Sequence, residues 1–224
     1  MLAVVRHGET VSYRDGGLTP AGHDQAAAAG HHLVELARRA GCAIGPDVYT
    51  SPSRRCRETA RVIAAVLGTE GVSVRVTVTE DIASVRLVDG GELLDLGLAQ
   101  DRPPSPAIDD LSRFWSELAA GHDVFRSWEQ GGFPCFESPD DVRSRLRAFV
   151  ECHAGATVAV THGEICRLLA GAAGIPELGA VLALGGALDG TADGTADGTA
   201  ANGKTRDTLR RMAGMMGYPG VDRG

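Results

Sequence analysis

Leu2 to Val5 is a short apolar run, rich in β-branched residues, that Arg6, His7 and Gly8 cut off abruptly. A run of that length and kind reads as a buried strand. In open α/β sheets, ligands bind beyond the carboxyl ends of the strands. A guanidinium and an imidazole placed side by side at such an edge are therefore candidates to meet an anion, the alternative being an ordinary solvated loop. The same theme returns late in the chain. Thr157-Val-Ala-Val160 reads as a second buried strand, and it runs into Thr161-His162-Gly163-Glu164 and a helix.

Between these two points, strand and helix patterns alternate. Thr19 and Pro20 supply a hydroxyl cap and a first-turn proline for a helix running to about Ala40, with Leu33, Leu36 and Ala37 as its apolar stripe. Adjacent histidines on a helix face different ways, so His31 and His32 read as surface residues. Val48 to Thr50 is a short strand, and Ser51-Pro52 repeats the cap-plus-proline opening of a helix through Leu67. Arg54, Arg55 and Arg57 crowd the first turn of that helix, which opposes its dipole unless an anion sits there. Val72 to Val78 alternates as a third strand. Ser138-Pro139-Asp140-Asp141 opens another helix, with Val142, Leu146 and Phe149 facing a core, and Val181 to Leu184 reads as a final strand. Helix starts at strand ends predict a three-layer α/β/α sandwich on a mainly parallel sheet.

The expected organisation is one domain over residues 1–186, with about residues 80–136 inserted as a lid. That insert holds most of the aromatic side chains, among them Phe114, Trp115, Phe125, Trp128 and Phe133; a satellite core describes it equally well. Residues 187–203 contain an Asp-Gly-Thr-Ala repeat with no means of burying a core, read as a flexible segment. Residues 204–224 read as a tail with a helical stretch. A net charge of −7 disfavours a general nucleic-acid or anionic-membrane binder. Lys204 is the only lysine, so the cations are almost all arginines, which grip phosphate with paired hydrogen bonds. The five scattered cysteines form no C-x-x-C pair, which points away from a disulfide framework or structural zinc. No leader or membrane span is read, and a reducing cytoplasmic setting is expected.

Arg6-His-Gly-Glu-Thr10, Leu18-Thr-Pro-Ala-Gly-His-Asp-Gln-Ala26, Ser51-Pro-Ser-Arg-Arg-Cys-Arg-Glu-Thr-Ala60, Glu137-Ser138 and Thr161-His-Gly-Glu164 follow one another in this order. This succession resembles the histidine phosphatase superfamily, the phosphoglycerate mutase-like enzymes, over about residues 1–80 and 130–172. The resemblance implies that His7 is a nucleophile that becomes phosphorylated. It implies that Arg6, Arg55 and His162 bind the phosphoryl oxygens, with Thr10 and the backbone N–H groups after His7 assisting. Cations are needed because the anionic oxygens of a phosphoester repel a nucleophile. Neutral imidazole at His7 and a cationic His162 beside bound phosphate predict a bell-shaped pH profile. No cofactor and no metal are implied, and the expected partner is a small-molecule phosphomonoester.

A leaving-group acid is also implied, shortly after the third strand. Within Val78-Thr-Glu-Asp-Ile-Ala-Ser84 one register assigns it to Glu80, which we take as the candidate; the other puts Ser84 there and leaves the position empty. Asp81, Glu164 and Glu9 are further carboxylates for the role. A phosphatase is favoured over a phosphomutase because the loop Val11–Gly17 is short. A catalytically weak phosphate-binding module is the remaining alternative. His162-Gly-Glu164 fits the H-x-E of zinc deaminases, but the downstream P-C-x-x-C that chemistry requires does not follow.

Overall fold

The computed structural model describes residues 2–12, 16–153, 157–170 and 176–184. They group into two compact units, the first holding residues 2–11, 16–84 and those described from 143 onward, the second residue 12 and residues 85–142. The expected flexible segment 187–203 and the tail 204–224 lie outside the described residues.

The first unit is built on a five-stranded sheet. Its strands are β1 (Leu2–Arg6), β2 (Asp47–Thr50), β3 (Arg75–Val78), β6 (Thr157–Thr161) and β7 (Val181–Leu184), in the order β3-β2-β6-β1-β7. The first four run parallel and β7 is antiparallel to β1. The helices are α1 (Pro20–Arg39), α2 (Arg54–Thr69), α5 (Pro139–Cys152, counted with this unit from Arg143 on) and α6 (Gly163–Ala170). Strand alternation sorts the two sheet faces. Ala3, Val5, Val48, Val158 and Val160 pack against Ala29 and Leu33 of α1 and Cys56, Ala60, Ile63 and Leu67 of α2. Tyr49 points the other way, and its ring meets Phe149 of α5 edge-on at 5.5 Å. Helices on both faces of a largely parallel sheet make this a three-layer α/β/α fold.

The caps behave as their residues dictate. Thr19 Oγ1 accepts from the N–H of Gly22 at 3.0 Å, and Pro20 takes the first position of α1. α1 and α2 touch closely because residue 30 has no side chain: a Cβ there would stand 2.9 Å from Cβ of Val66. Two local expectations are corrected. α2 starts at Arg54 with Ser53 as its cap, not at Pro52, because the Ser51 hydroxyl is engaged elsewhere. β3 is shorter than the alternation suggested, because the Val72 N–H bonds the Leu67 carbonyl and closes the end of α2.

The second unit contains a hairpin, β4 (Arg86–Asp89) and β5 (Glu92–Asp95), with α3 (Pro106–Ala119) and α4 (Val124–Glu129). The hairpin turns on Gly90 and Gly91, both at positive φ (58° and 87°), a pair suited to a two-residue turn between antiparallel strands. Phe114 is the centre of an aromatic cluster, with Trp115, Phe125, Phe133 and Phe136 all within 5.5 Å between ring centroids. Arg86 pairs with buried Glu137 at 3.1 Å, and Trp128 Nε1 donates to the Glu137 carbonyl at 2.8 Å.

Candidate active site

Register brings the two histidines together. β1 and β6 are parallel neighbours with Arg6 beside Thr161, so the next residue of each, His7 and His162, emerges at the same sheet edge. Their rings meet edge-on with centroids 5.4 Å apart and an interplanar angle of 71°. The Ser51 N–H donates to the Val160 carbonyl (3.0 Å), carrying β2's pairing one step further and bringing Ser51 to the same edge.

His7 is buried, and its Nδ1 lies 2.8 Å from the carbonyl oxygen of Gly8. A carbonyl only accepts, so Nδ1 carries the proton and, in the neutral ring, Nε2 keeps its lone pair. Burial pushes the His7 pKa well below the usual imidazole range, the charges of Arg55 and Arg6 push it the same way, and the Gly8 bond opposes them weakly. The backbone behind the ring is fixed by tight packing. A Cβ on Gly8 would stand 2.4 Å from the Gly22 carbonyl oxygen, and one on Gly22 would stand 2.1 Å from that of Glu9.

His162 is held from both sides. A terminal nitrogen of Arg55 lies 3.2 Å from Nδ1, and Ser51 Oγ lies 2.8 Å from Nε2. A guanidinium only donates, so Nδ1 accepts and Nε2–H points at the serine. The pKa of this ring is also well below its usual value, first by burial, then by the charges of Arg55, His7, Arg6 and Arg145. Cys56 Sγ lies 3.6 Å from Nε2, and burial raises its thiol pKa to about 11. The resting site therefore contains two neutral imidazoles among arginines.

The other expected site residues are placed as follows. Arg6 is buried, donates from its guanidinium to the Pro176 carbonyl, and acts electrostatically on both histidines. Arg55 is the member of the arginine cluster that reaches the histidines, while Arg54 pairs with Glu58 on the helix surface at 2.8 Å. Thr10 is buried and bridges to Leu18 across the loop. The N–H groups of Gly8 and Glu9, expected to face phosphate, instead donate to Thr59 Oγ1 (3.1 Å) and Gln25 Oε1 (2.8 Å). Those donors are spent on holding the loop to α1 and α2.

Among the candidate acids, Glu80 is exposed at the head of a short 3-10 turn (Glu80–Ile82), and exposed Asp81 accepts from the Thr79 hydroxyl at 2.9 Å. Glu9 is half-buried. Glu164 is buried at 5% exposure and accepts from Ser84 Oγ at 2.5 Å. The sequence reading does not single out Ser51 or Thr59 as site residues, and it takes Ser84 only as the occupant of the acid position in one of two registers. Ser51 and Thr59 stand in the motif that contains Arg55, which was the available signal, whereas nothing local marks Ser84 as a partner of Glu164. Among the described residues no group of three His, Cys, Asp or Glu side chains could hold a metal ion, and no helix is long and apolar enough to cross a membrane.

The mainly parallel sheet thus gathers two imidazoles and two guanidinium groups at one carboxyl edge. Residues 2–88 match the histidine phosphatase superfamily (branch 1). Among solved structures the chain is similar to a mycobacterial glucosyl-3-phosphoglycerate phosphatase (23% identity, 75% of this chain and 77% of that one, TM-score 0.44). It is also similar to phosphoglycerate mutases from Bacillus anthracis (18% identity, 75% and 77%, TM-score 0.48) and Thermus thermophilus (21% identity, 80% and 90%, TM-score 0.47). No curated protein matches the chain.

Proposed function

We propose that this chain is a metal-independent phosphomonoester hydrolase in which Nε2 of His7 attacks phosphorus. The observation that carries the reading is the tautomer imposed on His7. With Nδ1 donating to the Gly8 carbonyl and the ring neutral, the only lone pair available for attack is on Nε2. A covalent phosphohistidine divides one hard displacement into two easier ones. Arg55, Arg6 and His162 neutralise the phosphoryl oxygens, and such fixed donors cost no reorganisation as charge develops. Bound phosphate competes with His162 Nδ1 for the Arg55 guanidinium and draws a proton onto His162, so the ring becomes a cation only when occupied. Water then releases phosphate from His7.

The partner in this reading is a small phosphomonoester, with no nucleic acid or membrane surface, consistent with the net charge of −7. Free cysteines, two of them buried beside or near the site, suit a reducing cytoplasm. The test is a panel of sugar phosphates, nucleotides and phosphopeptides assayed for phosphate release by the full chain and by His7→Ala, with acid-labile phosphoenzyme trapped by rapid quench. Phosphate release and trapped phosphohistidine that both vanish in His7→Ala are the expected result. Isomerisation of a phosphoglycerate without net phosphate release would make the chain a mutase. Phosphate binding with no phosphoenzyme would make it a binding module.

A further inference from the structure

A hydrolysis of this kind must put a proton on the departing alkoxide, and of the four candidate carboxylates Glu80 and Glu164 differ most in burial. Glu80 is exposed. Glu164 is buried, two residues beyond His162 on the first turn of α6, and accepts a 2.5 Å hydrogen bond from Ser84. We propose that Glu164 is the proton donor to the leaving oxygen, with Ser84 as the residue that positions its carboxyl group.

Three contacts fix the segment that carries Ser84 against the sheet edge. The Thr161 hydroxyl donates to the Ile82 carbonyl at 2.6 Å, and Arg145 of α5 donates to the carbonyls of Asp81 (2.7 Å) and Ser84 (3.1 Å). Thr161 immediately precedes His162, so the segment is moored to the same strand end that presents the second imidazole. Ser84 is the position that one of the two sequence registers assigned to the acid. A hydroxyl stands there, and the carboxylate it holds comes from α6 instead. Glu164 also acts electrostatically on Cys56, whose sulfur lies 3.6 Å from His162 Nε2.

The proton balance is complete without an added reagent. The Nε2 lone pair of His7 forms the P–N bond as the P–O bond breaks, the bonding electrons pass to the leaving oxygen, and the Glu164 carboxyl proton joins them. In the second half, water forms the new P–O bond, the P–N electrons return to Nε2, and Glu164 takes the proton from water. This assignment rests on the hydrolase reading above.

The experiment compares glycerol 3-phosphate, whose alkoxide needs a proton to leave, with p-nitrophenyl phosphate, whose phenolate does not. Glu164→Gln should lower turnover of the alkyl ester by about 10²-fold or more while changing the aryl ester by less than about threefold, because general-acid help scales with leaving-group basicity. Ser84→Ala should show the same alkyl-against-aryl split to a smaller degree, and it carries the test if Glu164→Gln does not fold. Equal losses on the two esters, no loss on either, or a split that appears in Glu80→Gln instead would overturn the assignment while leaving His7 as nucleophile. Full activity of His7→Ala on both esters would overturn the hydrolase reading itself, and this assignment with it.

Discussion

Arg6-His7-Gly8-Glu9 and Thr161-His162-Gly163-Glu164 are near copies on adjacent parallel strands, yet the structure uses them differently. After Gly8 the chain enters a loop whose backbone is clamped to Gly22, so the Gly8 carbonyl turns back onto His7 Nδ1 and Nε2 is the nitrogen left over. After Gly163 the chain enters α6 at once, and His162 is gripped at both nitrogens by Arg55 and Ser51. Glu9 lies half-buried with its N–H on Gln25, whereas Glu164 is buried against Ser84. The same tripeptide thus carries a ring with its Nε2 left over in one place and a ring held at both nitrogens in the other. The backbone that follows the glycine sets the difference.

The largest effect that would break this comparison comes from exchanging the roles. His7→Asn removes the proposed nucleophile and should lower turnover by about 10⁴-fold or more, whereas His162→Asn, which removes a proposed electrostatic group, should cost about 10²–10³-fold. Rapid-quench measurements should find phosphoenzyme in the second variant and none in the first. Comparable losses, or phosphoenzyme in His7→Asn, would show that the two rings are interchangeable.

The backbone half of the comparison is sharpened by Gly22→Ala. Its Cβ would meet the Glu9 carbonyl oxygen at 2.1 Å, a backbone atom that cannot swing aside. Overpacking of this sort costs about 1–3 kcal/mol, to be read from urea denaturation. The loop carrying Gly8 should shift with it, lowering turnover although residue 22 has no chemistry of its own. A smaller effect is expected for Ser51→Ala. The His162 ring loses the nearer acceptor for Nε2–H, leaving Ser53 Oγ at 3.5 Å, and with it about 1 kcal/mol of orientation, seen as a roughly fivefold fall in phosphate affinity by calorimetry.

How much of this was legible beforehand follows from how local each feature is. The strand ends at Arg6-His7 and Thr161-His162 can be read because an apolar run and what interrupts it are adjacent in sequence. The opening of α1 at Thr19-Pro20 can be read for the same reason. The Gly90-Gly91 hairpin had a readable signal too, since paired glycines between short apolar runs mark a two-residue turn. Ser51 misled because a hydroxyl before proline is an ordinary cap, and only the pairing of β2 with β6 shows that His162 claims it. The Ser84–Glu164 contact spans 80 positions and depends on how residues 80–84 are moored to β6, which no local pattern encodes.

The smallest effect tests both histidines at once, through stability rather than chemistry. Each ring has its pKa depressed in the folded protein, mainly by burial. Below the unfolded value of about 6.5, the unfolded chain takes up protons that the folded chain refuses, so stability must fall as pH falls through that point. The limiting slope is about 1.4 kcal/mol per pH unit for each such histidine, and the loss ends only when the folded rings titrate. Carboxylates held low, such as Glu58, act in the same direction but only as pH falls below their own unfolded range near 4.5, so the two contributions separate along the pH axis. Urea unfolding of the phosphate-free protein between pH 7.5 and 5.0 should show the decline. Either single histidine-to-asparagine variant should halve the slope, and a saturating oxyanion should reduce it further by favouring the His162 cation in the folded state. A flat profile would mean that the rings are not both neutral at rest, and the distinction between a free Nε2 on His7 and a gripped ring at His162 would lose its physical basis.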